Sequence, residues 1–380
     1  MKLNSFKFLH NLLIHLEKKH FELIIITASA GILIRLLFIN FWHQNVTADS
    51  FAYIYQAKCI LSGNPVSSFP NGYPLIIALL LLIIPQIYLL ASLIIVNLAT
   101  QIVTGFLLYK TTILLNFTDN RKLAALFLFA LYPAQIFFTN MVLTESISTL
   151  LVTASVYFLL KRSFVSCGVT GFLLSAFRMS LLLWIPFTAI ILFLLIRDKR
   201  YYMLAAAFVL TGLLFHSTDF TGLTKFPRNY NYNFIIAISG YSSSLYPLSG
   251  EFNIEDKHPL NTYIHFAVNN PAKFTLQRLD ALYELWGPYP FEIHSKILKF
   301  VFGFRFILFI SFCFLFYRGF IRKKYLLSIN ENKFVIAAGI SVVIITIIHT
   351  VYFSSFRFIV PIEPILIISF VMCFSFIEKH

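Results

Sequence analysis

The sequence predicts an all-α polytopic membrane protein of about ten transmembrane helices, and three observations predict it. The first is composition: of 380 residues, 58% are apolar and only 12% charged. A soluble domain carries roughly 25% charged residues. The second is arithmetic. A transmembrane helix uses about 20 apolar residues, so about 220 of them cover roughly ten spans. The third is the placing of charge. The net charge is +14, but the basic residues sit in short clusters between apolar runs. That is the pattern of cytoplasmic loop ends facing anionic headgroups, not of a nucleic-acid footprint. No polar stretch is long enough for a large soluble domain. Cytosolic enzymes, DNA-binding proteins and secreted scaffolds are therefore excluded. Cys59, Cys167, Cys313 and Cys373 are widely separated, which implies neither a disulfide framework nor a zinc site.

The elements follow in order. Lys2, Lys7, Lys18 and Lys19 precede an apolar run over 21–42 that contains Arg35. A cleaved signal peptide has a shorter apolar core, so this run reads as an uncleaved first helix with its N-terminus inside. The polar window 43–72 is the first outer loop. Basic clusters at Lys110 with Arg121 and Lys122, at Lys161 and Arg162, at Arg197 to Arg200 and at Arg318 to Lys324 belong inside. That parity needs an odd number of passes between residue 72 and Lys110. The run 73–86 is short and ends at Pro85, so it reads as an embedded, non-spanning helix, and 87–109 as the span. Spans at 122–138 and 142–160 turn outside near Thr139–Glu145. Spans at 167–178 and 181–196 form a hairpin whose tip, Phe177–Ser180, is outside. The span 201–216 leads to the longest polar window, 217–296, also outside. Spans at 297–317, 334–353 and 356–377 complete the chain, with an outer turn near Ser354–Arg357. Three regions result: a core over 1–216, an extracytoplasmic loop region over 217–296, and C-terminal helices over 297–380. Both termini lie inside. The absence of an internal repeat gives an inverted-repeat transporter no support.

Charge beside the hydrocarbon marks function by default. Arg35, Asp49, Glu145, Arg178 and Arg357 all map to the outer side. Asp49 opens a segment in which Tyr53 and Ala57 follow at helical spacing, on one face. A carboxylate there can serve as a general base toward a hydroxyl; it can also simply cap a helix. Glu145 can orient an acceptor or bind a metal, or only complement the helix N-terminus. Arginine forks match phosphate oxygens, which suits Arg178 and Arg357 to a lipid-linked phosphate; snorkelling is their plainer reading. Arg35 is placed to pair with Asp49 or Glu145. His349 reads as a satisfied core histidine. Trp286, Tyr230, Tyr232, Tyr241, Tyr246, Tyr263 and Tyr289 suit sugar stacking or an interfacial belt. Nucleotide-binding loops, zinc spacings and a Ser/His/Asp constellation are all missing.

Taken in order, these residues resemble a known family. A first helix with an internal Arg35 precedes Asp49, Tyr53, Ala57, Gly63 and Tyr73-Pro74-Leu75. Leu131-Tyr132-Pro133 then leads to Leu143-Thr144-Glu145, followed by Gly171 to Arg178, and by Arg357-Phe358 with Pro361 and Pro364. This order resembles the GT-C membrane glycosyltransferases, and most closely the family-39-like enzymes that include protein O-mannosyltransferases and the lipid A aminoarabinose transferase. The resemblance implies a GT-C-like fold with an embedded first-loop helix, and a polyprenyl-phosphate sugar donor. It implies Asp49 as the catalytic carboxylate and Glu145 as a second acidic site. Arg178 and Arg357, with Lys58, Arg35 and Tyr53 beside them, become the lipid-phosphate-binding set. Two departures stand out. Asp49-Ser50 replaces the paired acids of many members, and Gly72-Tyr73-Pro74 replaces the Lys-Pro-Pro of the aminoarabinose enzymes.

The expected activity is inverting transfer of a sugar to an acceptor hydroxyl outside a bacterial inner membrane. The acceptor is a lipid, a glycan or a protein, and membrane lipids are further partners; nucleic acid is not one. No obligatory cofactor is expected, since cationic side chains can stabilise a leaving lipid phosphate; a divalent metal near Glu145 stays open. The alternatives are an O-antigen-type polymerase, a polytopic transporter or flippase, and a non-catalytic assembly protein.

Overall fold

The computed structural model describes residues 21–39, 46–64, 66, 69–217, 237, 258–287, 296–318, 328–351 and 356–377. Among the described residues every regular element is helical, with 15 α-helices and no strand. The first half contains α1 (Phe21–Ile39), α2 (Ala48–Leu61), α3 (Gly72–Ile83), α4 (Leu89–Leu114), α5 (Asp119–Leu131), α6 (Pro133–Thr139), α7 (Glu145–Leu160) and α8 (Phe164–Phe177). The second contains α9 (Trp184–Ile196), α10 (Tyr201–Ser217), α11 (Pro259–Asn269), α12 (Pro271–Trp286), α13 (Lys296–Phe316), α14 (Ile329–Val351) and α15 (Glu363–Ile377). A short 3-10 helix, Phe356–Ile362, precedes α15.

The described parts of all eleven predicted apolar runs fall mainly on helices. Five stretches are long and apolar enough to cross a bilayer: Phe21–Ile39, Gln86–Leu114, Met179–Ile196, Lys299–Phe316 and Ile329–Val351. The bent pair α5 and α6 makes a sixth if taken as one span. The protein is a multi-pass integral membrane protein. Exposed Ile26, Leu33, Ile95, Phe106, Leu194 and Leu213 give it an apolar outer surface suited to lipid rather than water. The predicted spans 142–160, 167–178 and 201–216 are shorter helices, of 16, 14 and 17 residues. At 1.5 Å per residue these reach about 21 to 26 Å, short of the roughly 30 Å hydrocarbon core. Lys161-Arg162 ends one of them, so its length is set by charge. The segment 73–86, expected to be embedded without spanning, is the 12-residue α3, followed by Pro85.

The centre of the molecule is α7, whose buried face continues from Glu145 to Leu160. It packs between α4 and α8, and α8 in turn packs on α10. That last approach depends on Gly168, where a Cβ would sit 2.5 Å from the Leu204 carbonyl. Small residues at a crossing let membrane helices come close. The span expected at 122–138 is broken: α5 and α6 meet at 49°. Pro133 causes this, because it lacks the N–H and its ring clashes with the preceding turn. Beyond 217, α11 and α12 are amphipathic helices packed on each other. Arg278 of α12 donates to the Thr350 and Val351 carbonyls at the end of α14, 2.9 Å each, and so ties the pair to the bundle. Tyr230, Tyr232, Tyr241, Tyr246 and Tyr289 lie outside the described residues.

Candidate active site

Four helix ends meet at one place. Thr47, not Asp49, is the N-cap of α2, so the capping reading of Asp49 falls. Thr47 and Ser50 form a capping box, and Ser50 Oγ also donates to the Val142 carbonyl at 2.8 Å. That bond fixes the start of α2 against the loop before α7. Asn97 of α4 fixes the same loop by donating to the Met141 carbonyl at 2.8 Å. Asp49 and Glu145, the first residue of α7, are thereby held close together. Gln56 clamps α2 to α3 by accepting from the Phe69 N–H at 2.9 Å and donating to Asn71 Oδ1 at 2.6 Å.

Arg178 caps the C-terminal end of α8, and its Nη2 lies 2.8 Å from Glu145 Oε1. Arg357, in the 3-10 helix, lies 2.5 Å from Asp49 Oδ2, with its Nε 4.0 Å from Glu145 Oε1. The order Asp49, Arg357, Glu145, Arg178 is therefore an alternating row of two acids and two arginines with no net charge. Both guanidinium groups sit over the Phe358 ring, at 5.3 and 5.4 Å. His349 stacks on that ring at 4.0 Å and 10°. It is a buried neighbour of the site, nearer to it than its place in an apolar run suggests. Glu145 Oε2 is buried without a hydrogen-bond partner. Tyr53 lies under the row, with its ring edge-on to Tyr73 at 5.4 Å. Burial, then the nearby Glu145 and Asp49, push its phenol well above the usual range. It stays neutral and can donate a hydrogen bond.

Two expected members are elsewhere. Arg35 pairs with neither Asp49 nor Glu145. Its guanidinium donates to the Ala130 carbonyl at 2.7 Å and to the Gly31 carbonyl at 3.0 Å. The break at Pro133 leaves carbonyls at the end of α5 without helical donors, and a cation at a helix C-terminus is favoured. Lys58 is exposed in the last turn of α2. It lies about 13 Å along the helix from Asp49. Trp286 is not open to a sugar, because it stacks on Phe309 at 4.2 Å and donates to Thr346 Oγ1 at 2.9 Å.

With this geometry in hand, comparison with known proteins places the fold. The crystal structure of the Archaeoglobus fulgidus oligosaccharyltransferase, tethered to an acceptor peptide with an NVT sequon, superposes on 95% of this chain with a TM-score of 0.52 and 14% identity. The fold is GT-C-like. The chain spans about half the length of that protein, 50%. No family model and no curated protein sequence matches it.

In this GT-C-like frame both acids already face arginines, and among the described residues no three His, Cys, Asp or Glu side chains group to hold a metal. A second charged cluster lies behind the site. Arg305 of α13 and Glu363 of α15 form an ion pair of 2.6 Å, with side chains 1% and 0% exposed. Tyr132 donates to Glu363 Oε1 at 3.0 Å. Gln135 Nε2 donates to Glu363 Oε2 and to the Val360 carbonyl, 3.0 Å each. This cluster anchors the 3-10 helix that carries Arg357. Selecting charges at the outer boundary passes over it, although both charges stand in apolar runs. Finally, a groove of about 260 Å³ opens between α1, α4 and α5, lined by Ile24, Ala28, Arg35, Gln101, Phe106 and Phe129.

Proposed function

We propose that the protein is an inverting glycosyltransferase. It moves a sugar from a polyprenyl-phosphate donor to an acceptor hydroxyl on the extracytoplasmic face of a bacterial inner membrane. The observation that carries the reading is the meeting of Asp49, Glu145, Arg178 and Arg357, four charges from four separate segments, in a GT-C-like fold. The donor phosphate binds at Arg357, backed by Arg178, and its isoprenoid chain runs between spans, where apolar grooves are available. The acceptor is a lipid, a glycan or a protein; the archaeal neighbour carries a peptide.

In the transfer, Asp49 takes the proton of the acceptor hydroxyl, and that oxygen bonds to the anomeric carbon from the side opposite the phosphate. The bond from anomeric carbon to phosphate oxygen breaks, and its electron pair stays on the lipid phosphate. A positioned base contributes typically 10²- to 10⁴-fold, and cations fixed at the departing oxygen lower the barrier further. Glu145 holds the arginines in register. Tyr53 offers a neutral hydrogen-bond donor.

The test is donor turnover by detergent-purified protein, measured as release of lipid phosphate from a panel of polyprenyl-phosphate sugars. Wild type should consume one of them, and Asp49→Asn should lose at least about 10²-fold. Full activity in Asp49→Asn removes the base. A wild type that consumes none, with acceptor extracts added, removes the reaction class.

A further inference from the structure

We propose that Arg357 is a transferable counter-ion: it holds Asp49 until a lipid phosphate arrives, and its move to that phosphate frees the Asp49 carboxylate. The inference rests on the glycosyl-transfer reading above and gives its two arginines different parts.

The two ion pairs differ in access. The Arg357 and Asp49 side chains are 25% and 21% exposed, whereas those of Arg178 and Glu145 are 8% and 2% exposed. Arg178 is also held by the Phe358 carbonyl at 3.4 Å. A ligand phosphate entering the site therefore meets Arg357 first, and finds it occupied. An arginine fork binds phosphate at least as well as carboxylate, in two parallel bonds. The Arg178–Glu145 pair stays as the fixed wall, since parting it would leave a buried charge uncompensated.

The charges agree with such an exchange. The row of four is neutral, and a sugar phosphodiester adds one negative charge. Transfer puts the acceptor's proton on Asp49, which becomes neutral, and leaves the departing phosphate with two negative charges. The total is one negative charge before and after. The new charge appears at the phosphate, where Arg357 has moved, and disappears at Asp49, which no longer needs a cation. When the lipid phosphate leaves and Asp49 loses its proton, Arg357 returns. The base is thus available only while donor is bound, and an acceptor arriving first meets a carboxylate already engaged.

The experiment uses the whole protein in detergent and a short-chain polyprenyl monophosphate without sugar. Native mass spectrometry reports its binding. Carbodiimide labelling of Asp49, located by peptide mass spectrometry, reports the state of the carboxyl. Arg357 covers one carboxylate oxygen of Asp49; once that oxygen is released the reagent can reach it, and labelling should rise at least about threefold when the lipid phosphate binds. Arg357→Gln should label at that high level without lipid and should not respond to it. Bound lipid with unchanged or lower labelling of Asp49 overturns the exchange and leaves the glycosyl-transfer reading standing. Arg357→Gln labelling as weakly as wild type also overturns it. No binding at saturating lipid phosphate overturns both.

Discussion

Replacing Glu363 by glutamine changes the shape of the interior little and its charge balance greatly. Arg305 then stays buried but loses the carboxylate it pairs with. Removing one partner of a buried ion pair costs about 3 to 5 kcal/mol, because the other charge is left uncompensated. Gln135 adds to the loss, since its amide donates to Glu363 Oε2 and then meets another amide. For 380 residues the average unfolding entropy is about 0.8 kcal/mol/K, so the expected fall in melting temperature is about 4 to 6 °C. The assay is heating of detergent-purified protein followed by size-exclusion chromatography of what stays folded. Arg305→Gln combined with Glu363→Gln carries no unpaired charge, and should recover at least half of the fall. Two results refute the reasoning: a Glu363→Gln protein melting within about 1 °C of wild type, or a double variant melting below the single one. Because Glu363 shares Gln135 with the Val360 carbonyl, the single variant should also bind lipid phosphate more weakly, through displacement of Arg357.

Three further outcomes are expected. Burial, then Asp280 beside it, raises the Glu284 carboxyl to about 8. The fold therefore prefers the protonated acid, and stability is fullest below the ordinary carboxylate pKa and falls as pH rises to about 8. Glu284→Gln should remove that slope and melt higher than wild type at alkaline pH, as seen in melting curves across the range; an unchanged slope counts against it. Gly168→Ala places a methyl against the Leu204 carbonyl and should cost about 1 to 3 kcal/mol by forcing α8 from α10, read from the same melts. Lys58→Ala should leave donor turnover within about twofold, as expected of an exposed charge remote from the row; a larger loss would return Lys58 to the phosphate site.

The site was legible where helix ends carried it. Glu145, Arg178 and Arg357 each stand at the end of an apolar run and Asp49 in the first outer loop, all on the side assigned outside, so parity alone brought them to one level. Tyr53 followed from helical spacing. Parity says nothing of pairing, however. Which acid faces which arginine depends on Ser50 reaching Val142 and on the 3-10 helix before α15. Arg35 was misplaced for a related reason. Its partners are backbone carbonyls freed by the break at Pro133, 95 positions along, and no side-chain pattern announces them. Lys58 shares a helix with Asp49 but stands at its far end. Arg305 and Glu363 are charges in apolar runs, visible singly. Their meeting is a packing result of α13 on α15.

The row of charges also has an order of birth. Glu145 and Arg178 are 33 residues apart and belong to successive helices. They can neutralise each other within one hairpin, soon after synthesis. Asp49 and Arg357 are 308 residues apart. At about 5 to 20 residues per second a ribosome needs roughly 15 to 60 s to make that interval. For all of that time the nascent chain carries Asp49 without Arg357, and hydration or a passing cation must serve instead. The fixed half of the site is built first, and the exchangeable half closes only when the ribosome has passed residue 357.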